Sequence, residues 1–230
     1  MALGYWCISR NFFILPTSRF FGGGSVGAGE AQDQNARFFE EMYEALKDSI
    51  FMDDTVEVEQ YVEQYHEGAT PRKAQTIEVK YHDRAYLRVT HYDRDARPFH
   101  AEAEVRGPGR ALAFTIMAEA DDARQALESL KAKAESAVVS FATALANIAK
   151  LISKNAIRSN DRITVSASIY AIDPYLVMTM WGVEDLAKLL NMDGSVKRKV
   201  RAATRKILKA ADKMVAYSKN TWHEYALIIR

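Results

Sequence analysis

Between Thr76 and Ala118 the chain changes polarity at almost every residue, and turn-forming residues interrupt the pattern three times. Ile77, Val79 and Tyr81 alternate with Glu78 and Lys80. Asp83-Arg84 turns this run into Ala85–Tyr92, and the loop 93–98 follows. Ala101, Ala103 and Val105 then alternate with Glu102, Glu104 and Arg106. Gly107-Pro108-Gly109-Arg110 is the clearest turn in the chain, and Leu112, Phe114 and Ile116 resume the apolar face. A period of two puts successive side chains on opposite faces of a strand. The pattern predicts a four-stranded antiparallel meander with one face in water. Residues 54–66 are ambiguous: Val56 and Val58 alternate like a strand, whereas Val58, Tyr61, Val62 and Tyr65 suit a helix.

After the meander the period becomes helical. Asp121 or Asp122 caps a helix to about Ser153, with Leu127, Leu130, Ala134, Val138, Phe141, Leu145, Ile148 and Ile152 as its stripe. The half from Ala137 to Ile152 is apolar almost all round, carries Lys150 and is too short for a bilayer span. Such a half-helix is buried on several sides, in a core or against a partner. This marks Phe141, Leu145 and Ile148 as a protein interface. A first helix is expected over 36–51. Two further strands are expected over 162–172 and 175–181, joined by Asp173-Pro174. A short helix over 183–190, a turn at Asp193-Gly194, a basic helix over 195–219 and a closing strand over 224–229 complete the reading. The expected fold is α+β: an antiparallel meander packed against a long α-helix, with further strands and a C-terminal basic helix, forming one domain over 36–230.

The first 29 residues contain no acid, carry only Arg10 and Arg19 as charges, and are rich in aromatic residues. Residues 1–21 therefore look like a mitochondrial presequence, because the matrix-negative potential draws cations inward. The Gly-rich stretch 22–35 reads as a linker. The expected location is the mitochondrial matrix or the matrix side of the inner membrane. With 48% apolar and 27% charged residues, the composition is that of a globular domain. Removing residues 1–21 takes away two Arg and no acid, turning a net charge of +1 into −1. Cys7 is the only cysteine, so the remainder has no thiol chemistry to offer.

Charge is segregated. Glu30 to Glu67 holds twelve acids against Arg37 and Lys47, and Ser195 to Asn220 holds nine bases against Asp212. Opposed blocks suggest an internal or intersubunit match, or two binding faces. On the basic helix, Lys197, Arg198, Arg201, Arg205, Lys206 and Lys209 could follow phosphates or an acidic partner; a merely solvated face is the plainer reading. Gly22–Gly27 fits G-x-G-x-x-G but lacks the strand before it and the helix after it, so it reads as linker. His82 and His91, with Asp83, Asp93 or Asp95, allow a metal site to be drawn across a hairpin, but surface hairpin residues explain them better. Tyr86 and Tyr92 with Arg88 could share one strand face and stack on bases, or simply pack across strands. No nucleophile elbow, P-loop or two-histidine zinc motif occurs. The expected role is that of a non-catalytic accessory subunit docking with other protein subunits in a respiratory complex, an ATP synthase or a mitoribosome. It would need no cofactor or metal, and would be peripheral to a membrane at most, without a transmembrane helix. The alternatives are an organellar RNA-binding protein using helix 195–219, and an enzyme with a pocket between sheet and helix.

Overall fold

The computed structural model describes residues 29–228, apart from 68–69, 94, 111–112 and 160. The presequence reading and the G-x-G-x-x-G stretch lie outside the described residues. The fold class is α+β, as the two sequence periods imply. Five antiparallel strands run in simple meander order: β1 (Val56–Glu67), β2 (Thr70–Tyr81), β3 (Ala85–Tyr92), β4 (Phe99–Arg106) and β5 (Ala113–Ala120). The ambiguous segment is thus a fifth strand. Its register pairs Val56, Val58, Gln60 and Val62 with Tyr81, Val79, Ile77 and Gln75, so its alternation continues the inner face of β2.

Helix α1 spans Gly29–Ser49 and α2 spans Ala123–Ser159. The first thus begins seven residues before the expected start and absorbs 29–35 of the supposed linker. Next come α3 (Arg162–Tyr170), a π-helical segment (Ala171–Val177) and α4 (Met178–Leu189), which follow one another without a break. Last is α5 (Gly194–Ile228). Helices α2, α4 and α1 lie on one face of the sheet, and α5 packs on α2 and on the α3–π–α4 rod rather than on strands. The core lies between sheet and helices, where Ile77, Leu87, Ala101 and Val105 meet Leu130, Leu186 and Leu189, all fully buried. The structure corrects three strand expectations: 162–172 and 175–181 are helical, and the helix of 195–219 runs on through 224–228.

The first correction has a clear physical origin. A strand would place Ile163 and Val165 on the same face, as their alternation suggests. On a helix they fall on opposite faces, and Ile163 is 79% exposed while Val165 is 2% exposed. Asp161 starts the helix: its carboxylate accepts the backbone N–H groups of Ile163 and Thr164 and the Thr164 hydroxyl. Those bonds hold the carboxyl below its ordinary value. Pro174 does not end the helix, because it sits inside the π-helical segment, where the ladder is already displaced.

Two close fits seat α4 on the end of the sheet. Gly182 lies so near β4 and the β2–β3 turn that a Cβ there would stand 2.7 Å from Val105 Cγ1 and 3.3 Å from the Arg84 carbonyl oxygen. The turn has positive φ at both His82 (52°) and Asp83 (53°). Non-glycine residues adopt this at a cost. Asp185 of α4 steadies it, accepting from Arg84 Nε at 2.9 Å and lying 3.4 Å from His82 Nδ1. Nearby, Lys188 Nζ donates to the Tyr81 hydroxyl at 2.5 Å and stands over the Phe51 ring. The Tyr81 bond, with Asp53 also near, holds that ammonium above its ordinary value.

Candidate functional site

On the sheet's outer face, charged side chains of neighbouring strands pair with one another. The register aligns Glu59, Glu78, Arg88 and Glu102 across β1 to β4. Lys80 lies 2.7 Å from Glu59 and 3.5 Å from Glu78; Arg88 lies 2.5 Å from Glu78 and 3.6 Å from Glu102. Burial opposes the charge on Arg88, yet Glu78 keeps that guanidinium above its ordinary value. Tyr86, Arg88 and Tyr92 do share this face, as expected. Their faces are taken, however: Arg106 lies 3.8 Å over the Tyr86 ring, and Tyr92 packs edge-on to His100. This leaves no free aromatic platform on these residues for a base.

The histidine pair that could be drawn across the hairpin does not form, and His91 is buried rather than a surface hairpin residue. His91 pairs with Gln75, while His82 sits in the turn at the far end of β3. His91 is buried, stacked on Phe38 of α1 at 3.7 Å, with Nδ1 2.9 Å from Gln75 Oε1. Burial pushes its imidazole below the ordinary value, and Asp93 and Asp95 oppose this only in part. Among the described residues, no three His, Cys, Asp or Glu side chains stand close enough to hold a metal ion. A shallow cleft of about 210 Å³ lies between α1, α2 and the α4–α5 turn, near Asp48, Glu128 and Lys131. It lies at helix ends, not between sheet and helix, where a catalytic pocket was the alternative.

The interface residues marked in the sequence separate. Leu145 is 1% exposed, inside the chain's own core, and Phe141 stacks on Phe114 of β5 at 4.7 Å. Only Ile148, 42% exposed, offers surface. The apolar half of α2 is therefore divided: one side packs on α5, α3 and the sheet, while Ile148 and Leu151 stay exposed.

The basic helix behaves otherwise. Arg198, Arg201, Arg205, Lys206 and Lys209 are exposed and Lys197 is half-buried. Among the described residues, none of the six lies within salt-bridge distance of a carboxylate, and no ion pair joins the acidic block to α5. The internal charge match that the sequence allowed is thus not made among the described residues.

The feature that sequence reading missed is on the rod. Ile163, Ala167, Tyr170, Pro174, Met178 and Trp181 follow at intervals of 4, 3, 4, 4 and 3 residues, which is one helical face. Of these, Ile163, Tyr170, Met178 and Trp181 are exposed. Tyr175 joins the stripe from the side, with its ring edge-on to Tyr170 and the two hydroxyls 3.2 Å apart. That bond pushes the Tyr175 phenol above its ordinary value. Arg84 covers one side of Trp181 at 5.7 Å.

Helix α5 extends this face. Thr204 donates to Glu184 of α4 at 2.5 Å, so the Thr204 side of α5 borders the rod. Lys197, Arg201, Leu208 and Val215 lie seven and three residues before it and four and eleven after, all on that flank. Leu208 and Val215 are exposed. The result is a lateral face with an apolar and aromatic stripe edged by cations that have no carboxylate within salt-bridge distance among the described residues. The spacing was present in the sequence, but reading 162–181 as strands concealed it.

Two helical stretches, Ala123–Ser159 and Arg162–Leu189, are long and apolar enough to cross a membrane by length and composition alone, with mean hydropathy of 1.5 and 1.2 over their best windows. This exceeds the sequence expectation that no segment would qualify. Here both are wound into one bundle on the sheet, each with a third of that window buried. No family model matches the chain, and no curated protein or solved structure is significantly similar to it.

Proposed function

We propose that this chain is a non-catalytic accessory subunit, imported into mitochondria, that docks with other subunits of a larger protein assembly. The candidates remain a respiratory complex, an ATP synthase or a mitoribosome. One observation carries the reading. The stripe from Ile163 to Trp181 turns large apolar side chains outward along a rod that buries Val165, Ile172, Leu176, Met180, Val183 and Leu186 in the core. A contiguous exposed apolar face edged by polar groups marks an interaction site more often than a folding accident. The acid-free leader supports the location.

The test is native affinity purification of the tagged full-length chain from organelles in mild detergent. The wild type is expected to co-sediment with a large complex. Ile163→Ser combined with Tyr170→Ser and Trp181→Ser is expected to release it. Retention of the folded triple variant would overturn the reading. The exposed cations of α5, which pair with no carboxylate among the described residues, favour RNA as the second reading. It gains if retention depends on ribonuclease-sensitive material and falls steeply with salt when Arg201, Arg205 and Lys209 are reversed.

A further inference from the structure

We infer that the lateral face rests on an anionic phospholipid bilayer, so that the chain is the membrane-contacting subunit of its assembly. This rests on the reading of that face as the surface by which the chain attaches to its assembly, and assigns the contact there to the assembly's membrane lipid rather than to a protein subunit.

The side-chain chemistry is that of a membrane interface. Aromatic residues with one polar end favour the headgroup level, and here two tyrosines and a tryptophan accompany Ile163 and Met178 along the stripe. The stripe lies on a rod of 28 residues, about 40 Å long at 1.5 Å per residue. It is a line on a convex helix rather than a groove, which suits a flat fluid surface better than a knob or peptide. Lys197 and Arg201 border it on α5 and have no carboxylate within salt-bridge distance among the described residues. Cations beside an apolar strip are drawn to anionic headgroups. The acid-rich outer sheet face lies across the core from the helices, so a negative surface would repel it and fix the orientation.

The same geometry argues for lying on the membrane rather than crossing it. Met180, Leu186 and Leu189 of the rod, and Leu127 and Leu130 of α2, are in the core against the sheet and helices. Crossing would strip them from it. Asp173 and Asp212 are exposed near the face and limit how deep it can sink.

Flotation of the full-length chain with phosphatidylcholine vesicles, with and without an anionic phospholipid, tests this. The chain is expected to float only with anionic vesicles and to be released by salt. Met178→Ser with Trp181→Ser, and separately Lys197→Glu with Arg201→Glu, are each expected to lower partitioning at least about tenfold. Circular dichroism confirms that each variant is folded. Arg10→Glu with Arg19→Glu is expected to leave flotation intact; if it abolishes flotation while the face variants keep it, the leader is the binder and the inference is overturned. Absence of flotation by the folded wild type overturns it too, and so does resistance of the native protein to carbonate extraction, which would mean a span. If vesicles fail but organellar co-purification still depends on Trp181, lipid is excluded and a protein partner occupies the face.

Discussion

The sheet and the far side of the helical rod handle side chains in opposite ways. On the outer sheet face, Lys80 and Arg88 pair with the more numerous carboxylates of neighbouring strands at 2.5–3.6 Å. Around the rod, large apolar side chains face outward and the adjoining cations of α5 find no carboxylate within salt-bridge distance among the described residues. Both regions are well-formed secondary structure. The first spends its side-chain interactions on folding, while the second holds them in reserve. A substitution should therefore cost stability in the first region and attachment in the second.

The largest effect is expected where the two regions meet. Leu186 is fully buried between α4 and the sheet. Leu186→Ala should cost about 2–5 kcal/mol by leaving a cavity, read by urea unfolding. If the cost is under about 1 kcal/mol, the rod is not anchored as described. Gly182→Ala comes next. Its Cβ would meet Val105 Cγ1 at 2.7 Å, in a buried strand that cannot yield easily. Overpacking costs about 1–3 kcal/mol, and better helix propensity returns up to about 1. A net loss is expected, and a net gain would refute the close seating of α4.

Within the sheet, Glu78→Gln removes the partner of both Arg88 and Lys80. Glu78 is buried, but Lys80 and Arg88 are partly solvated and keep Glu59 and Glu102 nearby, so the cost should be about 1–2 kcal/mol rather than that of a fully buried pair. Acidification probes α1. The native His91 imidazole is held below its ordinary value of 6.5, chiefly by burial. As pH falls below about 6.5 the unfolded chain takes up the proton first. Stability should be level above that point and decline below it, at no more than about 1.4 kcal/mol per unit. His91→Phe should flatten this part of a melting-temperature profile; an unchanged slope would assign it to other groups. The smallest effect on stability is expected on the stripe. Ile163→Ser with Trp181→Ser should change unfolding free energy by within about 0.5 kcal/mol per site, while abolishing attachment.

Much of this architecture could be read directly. The meander and the long helix follow from a switch in period at Asp121, which no competing signal obscures. Segment 54–66 stayed ambiguous because Tyr61, Val62 and Tyr65 mimic a helical face, and only pairing with β2 decides it. The rod was misread because Ile163, Thr164, Val165 and Ile169 carry β-branched side chains, and Pro174 looks like a break. Two signals pointed the other way: Asp161 placed as a helix cap, and the run of three- and four-residue intervals to Trp181. Local β propensity yielded to capping and to packing against α5 and α2. The basic helix was legible as a helix and as a positive surface. Its role as the edge of an apolar face depended on knowing that Thr204 meets Glu184.

The most direct test places a photo-activated cross-linking side chain at position 181 of the full-length chain, with position 59 on the outer sheet face as the comparison, and irradiates intact organelles. Cross-links to lipid or to a neighbouring subunit at 181, with few or none at 59, are the expected result. A bare monomer at 181, or equal cross-linking at 59, would contradict a docking face on the rod.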